Sequence, residues 1–248
     1  MKGVKVEKPT HRIIHFRNLH TIPREWLAID QAAVYGRALT EDEINILYEQ
    51  HLLQVELIQV EHLAILRCLT GHHGLTTMHM EGLTADNAAE FADKVAGLKA
   101  MELDDIPKLR IQLKDISRLA ARNPKEQEQG KAIEKEITTM LDQHRKRILE
   151  LGVGGRLLIA GELKAVLPLE DAKVLGNVKP VRDGELKLDP AIRAARNDAQ
   201  VRELLKAGPV TVIELGGSDD LSAAVKRVAD GKCEYLRVTT RRAKQLLN

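Results

Sequence analysis

Four short apolar runs, separated by long amphipathic stretches, constrain this chain more than any other feature. Ile13-Ile14-His15-Phe16 leads on to His20, and residues 75–80 end at Glu81. Residues 156–160 end at Gly161-Glu162, and residues 210–215 end at Gly216-Gly217-Ser218-Asp219. Strands joined through a helix of this length run parallel, because only a crossover connection spans the gap. The pattern predicts an α/β fold with a mostly parallel sheet covered by helices on both faces. In such sheets ligands bind in the crevice outside the carboxyl ends of the strands. The four polar strand ends therefore define one expected site.

The chain has 248 residues, a length read as one α/β domain over residues 1–248. Aromatic residues make up only 2%, so the core is built from Leu, Ile, Val and Ala, which favours helices. Thirty-eight basic and 36 acidic residues leave a net charge of +2, which gives no strong attraction to nucleic acid or to a membrane surface. Cys68 and Cys233 have no CxxC partner, which excludes a structural zinc finger and argues against a disulfide framework. Residues 1–8 carry no apolar core of a signal peptide, and no run approaches the roughly 18 apolar residues of a membrane span. As given, the chain reads as cytoplasmic; a chain trimmed of its leader would read the same.

Thr40-Glu41-Asp42-Glu43 is a capping box, and from Ile44 to Leu69 apolar residues recur near every 3.6 positions, so one long helix ends near Gly71. A second helix opens at Thr84 and Asp86 and runs to about Lys99. Residues 104–151 differ, being rich in Lys, Glu, Gln and Arg with narrow apolar stripes on either side of Asn123-Pro124. They predict a helical hairpin inserted between the second and third core strands. It either packs as surface helices or projects as an arm that contacts a second copy of the chain, a homodimer through 104–151. Further on, a strand is expected at 172–175 and a helix at 190–206. After the 210–215 strand a short helix spans 221–229, a strand 234–238, and Thr240 caps a last basic helix.

Gly152-Val153-Gly154-Gly155 has the composition of a phosphate loop but follows a helix and precedes an expected strand, the reverse of the nucleotide fingerprint. It reads as a helix stop and tight turn. Gly216-Gly217-Ser218-Asp219-Asp220 has the right order, yet its two carboxylates repel a phosphate and suit a cation, a bound water or a hydroxyl-bearing ligand. Alternatively, Ser218 or Asp219 only caps the next helix. His20 is the candidate base or metal ligand, since imidazole titrates near neutrality. With Glu81, Glu162 and Asp219 it would hold a divalent metal or activate water directly. A shared site requires His20 and Glu81 to lie within about 12 Å, the span of one small ligand. Gly161, Gly216, Gly217 and Ser218 are expected to line the ligand. His79 shares a strand face with Glu81 and joins that set, whereas His15 packs between sheet and helices. His72-His73 precedes the second strand and falls at the opposite edge.

Taken together, residues 13–20, Leu66-Arg67-Cys68-Leu69, Glu81-Gly82-Leu83, Ala160-Gly161-Glu162-Leu163 and residues 215–221 are similar to motifs of one superfamily. It joins erythromycin esterases, TIKI metalloproteases and ChaN-like haem-binding proteins, and has a Gly-x-x-His motif after the first strand and acidic residues after later ones. The resemblance places the motif histidine on His20 and the second-strand glutamate on Glu81, with Arg17 where the motif has glycine and Ser218 where a histidine is expected. It implies water-activating hydrolysis in some members and haem capture in others. Haem would need an axial Tyr, His, Cys or Met, and Tyr35 and Tyr48 follow the first strand. The sequence thus leaves three readings open: a hydrolase-like pocket at His20 and Glu81, a haem or small-ligand binding protein, and an interaction protein working through the hairpin.

Overall fold

The computed structural model describes residues 2–120, 127–176, 181–182, 185–186, 189–217 and 219–247. Its main sheet has six strands: β1 (Lys2–Val4), β2 (His11–Asn18), β3 (Thr77–Met80), β4 (Ala165–Pro168), β7 (Val210–Gly216) and β8 (Cys233–Val238). Their order is β1-β8-β2-β7-β3-β4. All neighbours pair in parallel except β1, which lies antiparallel on β8 at one edge. A separate two-stranded ribbon joins β5 (Val181–Arg182) to β6 (Glu185–Leu186). The central position of β7 follows from its sequence: Thr211-Val212-Ile213-Glu214-Leu215 is buried on both faces, as a strand covered by helices on each side must be.

Nine helices connect these strands among the described residues: α1 (Arg24–Tyr35), α2 (Glu41–His73), α3 (Ala88–Ala120), α4 (Gln127–Glu150), α5 (Gly152–Ile159), α6 (Ala172–Gly176), α7 (Pro190–Lys206), α8 (Ser222–Val228) and α9 (Arg241–Leu246). α2 starts at the expected capping box, with Thr40 Oγ1 accepting from Glu43 N at 3.3 Å and the Glu43 carboxylate accepting from Thr40 N at 2.9 Å. It ends at His73, two residues later than Gly71, and is capped by a left-handed Gly74. Asp189 caps α7 and Pro190 fills its first turn, as Asp-Pro dictates. None of the described helices is long and apolar enough to cross a membrane.

Two apolar layers sandwich the sheet. On one face Leu63 and Leu66 of α2 and Val153 and Leu157 of α5 meet Phe16, Met78 and Val212. On the other, Val201 and Leu204 of α7 and Ala224 and Val225 of α8 meet Ile13, Ile213 and Leu215. The α3–α4 pair stacks outside α5 through Val95, Leu98, Ile148 and Leu151, and leaves Leu103, Ile111, Ile133 and Met140 exposed. Its first helix starts well before residue 104 and passes through Pro107 without ending. Asn123-Pro124, the expected break, lies outside the described residues.

Three expectations are corrected. Residues 156–160 form the end of helix α5, not a strand, because a short apolar run with no polar alternation fits a buried helix as well as a buried strand. The strand follows at Ala165–Pro168, and residues 172–175 are helical. Gly152 does stop a helix, at φ +67°, but the next three residues open α5 rather than a turn into a strand. A Cβ on Gly154 would sit 3.1 Å from Val166 Cγ2 and 3.2 Å from Met78 Sδ, so glycine there lets α5 lie close on β3 and β4.

Candidate active site

The helices after β2 cover one face of the sheet and the helix after β7 covers the other, so a crevice opens where these two adjacent strands end. His20 follows β2, Glu81 follows β3, and Gly216 closes β7. They meet at the crevice. His20 Nε2 donates to Glu81 Oε2 across 2.7 Å, and the Gly216 amide donates to the same oxygen at 2.8 Å. Arg196 Nη2, from α7, donates to Glu81 Oε1 at 2.8 Å. A side chain at 216 would intrude on this approach, since a Cβ there lies 3.3 Å from Asp219 Oδ2 and 3.7 Å from His20 Nε2. His51 of α2 donates through Nε2 to the His20 carbonyl at 2.9 Å and holds the loop.

Other charged groups support this centre. Arg196 also grips the buried Glu170 carboxylate through Nε and Nη2, and Gln200 donates to it at 2.8 Å. Arg193 Nη2 reaches Asp219 Oδ1 at 2.7 Å. Arg17 donates to the Gly217 carbonyl and to the Leu247 carbonyl, each at 2.9 Å through Nη2. Arg237 donates to the same Gly217 carbonyl at 2.8 Å. The loop after β7 is thus fixed by guanidinium groups from β2 and β8. Arg17 serves architecture here.

The electrostatics follow from these contacts. Burial alone would lift the Glu81 carboxyl, but the charges and hydrogen bonds of His20 and Arg196 outweigh it and hold the group well below the carboxylate range. Burial likewise opposes a charged His20, and the Glu81 carboxylate outweighs it, raising the imidazole above 6.5. The His20 side chain is 41% exposed and that of Glu81 17%, so the histidine is the member that faces solvent. Among the described residues no protein group bonds its Nδ1.

Of the residues expected at one rim, His20, Glu81, Gly216, Gly217 and Asp219 converge at this end. Ser218 lies outside the described residues. Glu162 and Gly161 do not converge, and their placement is corrected: they follow a helix, not a strand, and precede β4. The chain just after them bonds Thr76, ahead of β3, at the amino-terminal edge of the sheet. There Arg67 Nε binds both Glu162 oxygens at 3.0 Å, and Gly161 makes a turn at φ +72°. His79 is buried toward α7 with Nδ1 on the Pro168 carbonyl at 2.9 Å, and burial lowers its pKa. His15 packs inside as expected, on the Tyr235 hydroxyl, with burial first among the causes that push it down to about 3. The residues that sequence reasoning missed are Arg193, Arg196 and Gln200 of α7, and Glu170. Their signal was the spacing of three and four, which sets 193, 196 and 200 on one helix face.

The donor set does not fit a divalent cation. Among the described residues no three His, Cys, Asp or Glu side chains come together as metal ligands. Both Glu81 oxygens already face donors, and Asp219 faces Arg193. Of the two tyrosines named for haem, Tyr35 is exposed on α1, and the Lys146 ammonium lies 5.5 Å from the ring centroid of Tyr48.

Beside Glu81 lies a hollow walled by Met80, Gly82, Leu83, Asn87, Phe91 and Lys94. It shares Met80, Phe91 and Lys94 with a larger cleft of about 690 Å³ between α3, α4 and the end of β3.

Compared with models of protein families, with curated proteins and with solved structures, the chain matches none.

Proposed function

We propose that this rim is a hydrolytic site in which His20 activates water and Glu81 orients it, acting on a small organic substrate. The carrying observation is the 2.7 Å contact of His20 Nε2 with a carboxylate oxygen at an exposed strand end. A carboxylate that accepts from Nε2 fixes the tautomer with Nδ1 free to accept a proton, the arrangement general-base catalysis needs. As the water oxygen bonds to an acyl carbon, its proton passes to Nδ1. The proton then goes to the leaving oxygen or nitrogen as that bond breaks, so substrate and water yield an acid and an alcohol or amine. No step requires a resident metal, in keeping with the donor set. The superfamily resemblance supports the reading through the match of His20 and Glu81 to its motif.

Hydrolysis of 4-nitrophenyl acetate and butyrate tests it. His20→Gln is expected to lower kcat/KM by roughly 10²–10⁴-fold, the usual worth of a positioned base. In the wild type kcat/KM rises with pH through a value above 6.5, because only neutral His20 accepts a proton and Glu81 holds it charged. Glu81→Gln moves that inflection down. Hydrolysis that survives His20→Gln unchanged sinks the proposal.

A further inference from the structure

The geometry points to the cleft between α3 and α4 as the subsite for the uncharged apolar part of the substrate, an acyl chain or a ring whose polar end reaches Glu81. This inference rests on the hydrolytic reading of the rim. The cleft is walled by Met80, Phe91, Leu98, Met101 and Leu151, and its volume of about 690 Å³ lies within the range of small-molecule sites. Two thioethers and an aromatic ring give a wall that adapts to irregular apolar shapes. The charged groups that line the cleft are Lys94, Arg147 and Glu150, and Lys94 is paired with Glu90 of the adjoining hollow at 2.7 Å. Met80 joins the two spaces. It is the last residue of β3, directly before Glu81, and lines both the cleft and the hollow that contains Glu81.

A second, independent observation is Gly97. It sits inside the 33-residue helix α3, where glycine weakens a helix more than any residue except proline. Neither conformation nor packing asks for it: its φ is not positive, and a Cβ there would meet nothing within 4 Å. Gly97 is exposed and borders the cleft. A large substituent at 97 therefore has room to cover the cleft's edge without straining the fold.

Fluorescence titration with the uncharged probe N-phenyl-1-naphthylamine, excited directly, tests this on the whole chain. Wild type, Gly97→Ala and His20→Gln are expected to bind alike. Gly97→Phe is expected to bind roughly tenfold more weakly or worse, since its ring takes the apolar surface the probe would cover. Thermal melts of both Gly97 variants, at or above the wild-type midpoint, show that the fold is kept. In the hydrolysis assay, Gly97→Phe is expected to lower kcat/KM for butyrate more than for acetate. Unchanged probe binding in Gly97→Phe, or weakened binding in His20→Gln, overturns the subsite. Acetate turnover that survives His20→Gln unchanged counts against the hydrolytic reading alone, so the two failures are distinct.

Discussion

A double-mutant cycle between His20 and Glu81 probes the site through stability alone, without a substrate. Glu81 accepts three hydrogen bonds, from His20, Arg196 and the Gly216 amide, with donors facing both of its oxygens. Glutamine cannot satisfy this, because its amide must turn an N–H toward a donor on one side or the other. Charge-assisted bonds contribute about 1.5–3 kcal/mol each, and one retained bond offsets part of the loss, so Glu81→Gln is expected to cost about 2–4 kcal/mol. At roughly 2–4 °C per kcal/mol for a chain of this size, the midpoint falls by about 4–16 °C. The His20–Glu81 pair itself lies between an exposed pair and a buried one, since the His20 side chain is 41% exposed. Solvent screening reduces its coupling to about 1–2 kcal/mol, below the value for a fully buried pair.

The pH dependence has a definite sign. His20 is raised above its usual 6.5, so its contribution is complete below 6.5 and fades as pH climbs through the raised value. Glu81 is depressed below its usual 4.5, so its contribution is complete above 4.5 and fades as pH falls toward its folded value. The coupling is therefore greatest between about 4.5 and 6.5 and smaller at pH 9. Urea unfolding followed by far-ultraviolet circular dichroism at pH 6 and pH 9, on wild type, His20→Ala, Glu81→Gln and the double variant, measures it. Additive losses at pH 6, or a coupling that grows toward pH 9, would refute the electrostatic account of the site.

Two further expectations concern residues away from this pair. Glu162→Gln leaves ester hydrolysis unchanged and costs less than about 1 kcal/mol in urea melts, because it breaks only an exposed pair with Arg67 at the far edge of the sheet; a large loss of turnover would place Glu162 in the chemistry after all. Gly154→Ala lowers the unfolding free energy in urea melts by up to about 2 kcal/mol, since the press of its methyl on Val166 and Met78 outweighs the helix preference of alanine; an unchanged stability would mean that these two side chains move aside to make room.

Elements defined by local chemistry were legible in the sequence. Thr40 with Glu43 and Asp189 with Pro190 marked helix starts to the residue, and the β-branched run at 210–215 marked β7. Residues 156–160 were not legible, because four apolar residues in a row carry no period, and that error carried Glu162 to the wrong edge. The antiparallel β1 was hidden for a similar reason: three residues at an edge show no pattern until β8 pairs with them. In the site, His20 and Glu81 were visible as polar groups just past strands. Arg193 and Arg196 were not, since their role depends on a crossover that lays α7 over the rim, and only the order of strands decides that.

That order also bears on how the protein folds. β7 lies between β2 and β3, yet it comes some 200 residues after the first of them, as the pairing of Arg12 with Val210 shows. Closing a loop of that length is entropically costlier than making local contacts, so we expect the insertion of β7 to follow formation of the local helices. Until it occurs, β2 and β3 have no common neighbour, and the carboxylate of Glu81 lacks the Gly216 amide that fixes it. A chain interrupted before β7 can build its helices but not its rim. The pairing of His20 with Glu81 in a settled geometry is thus a readout of complete folding.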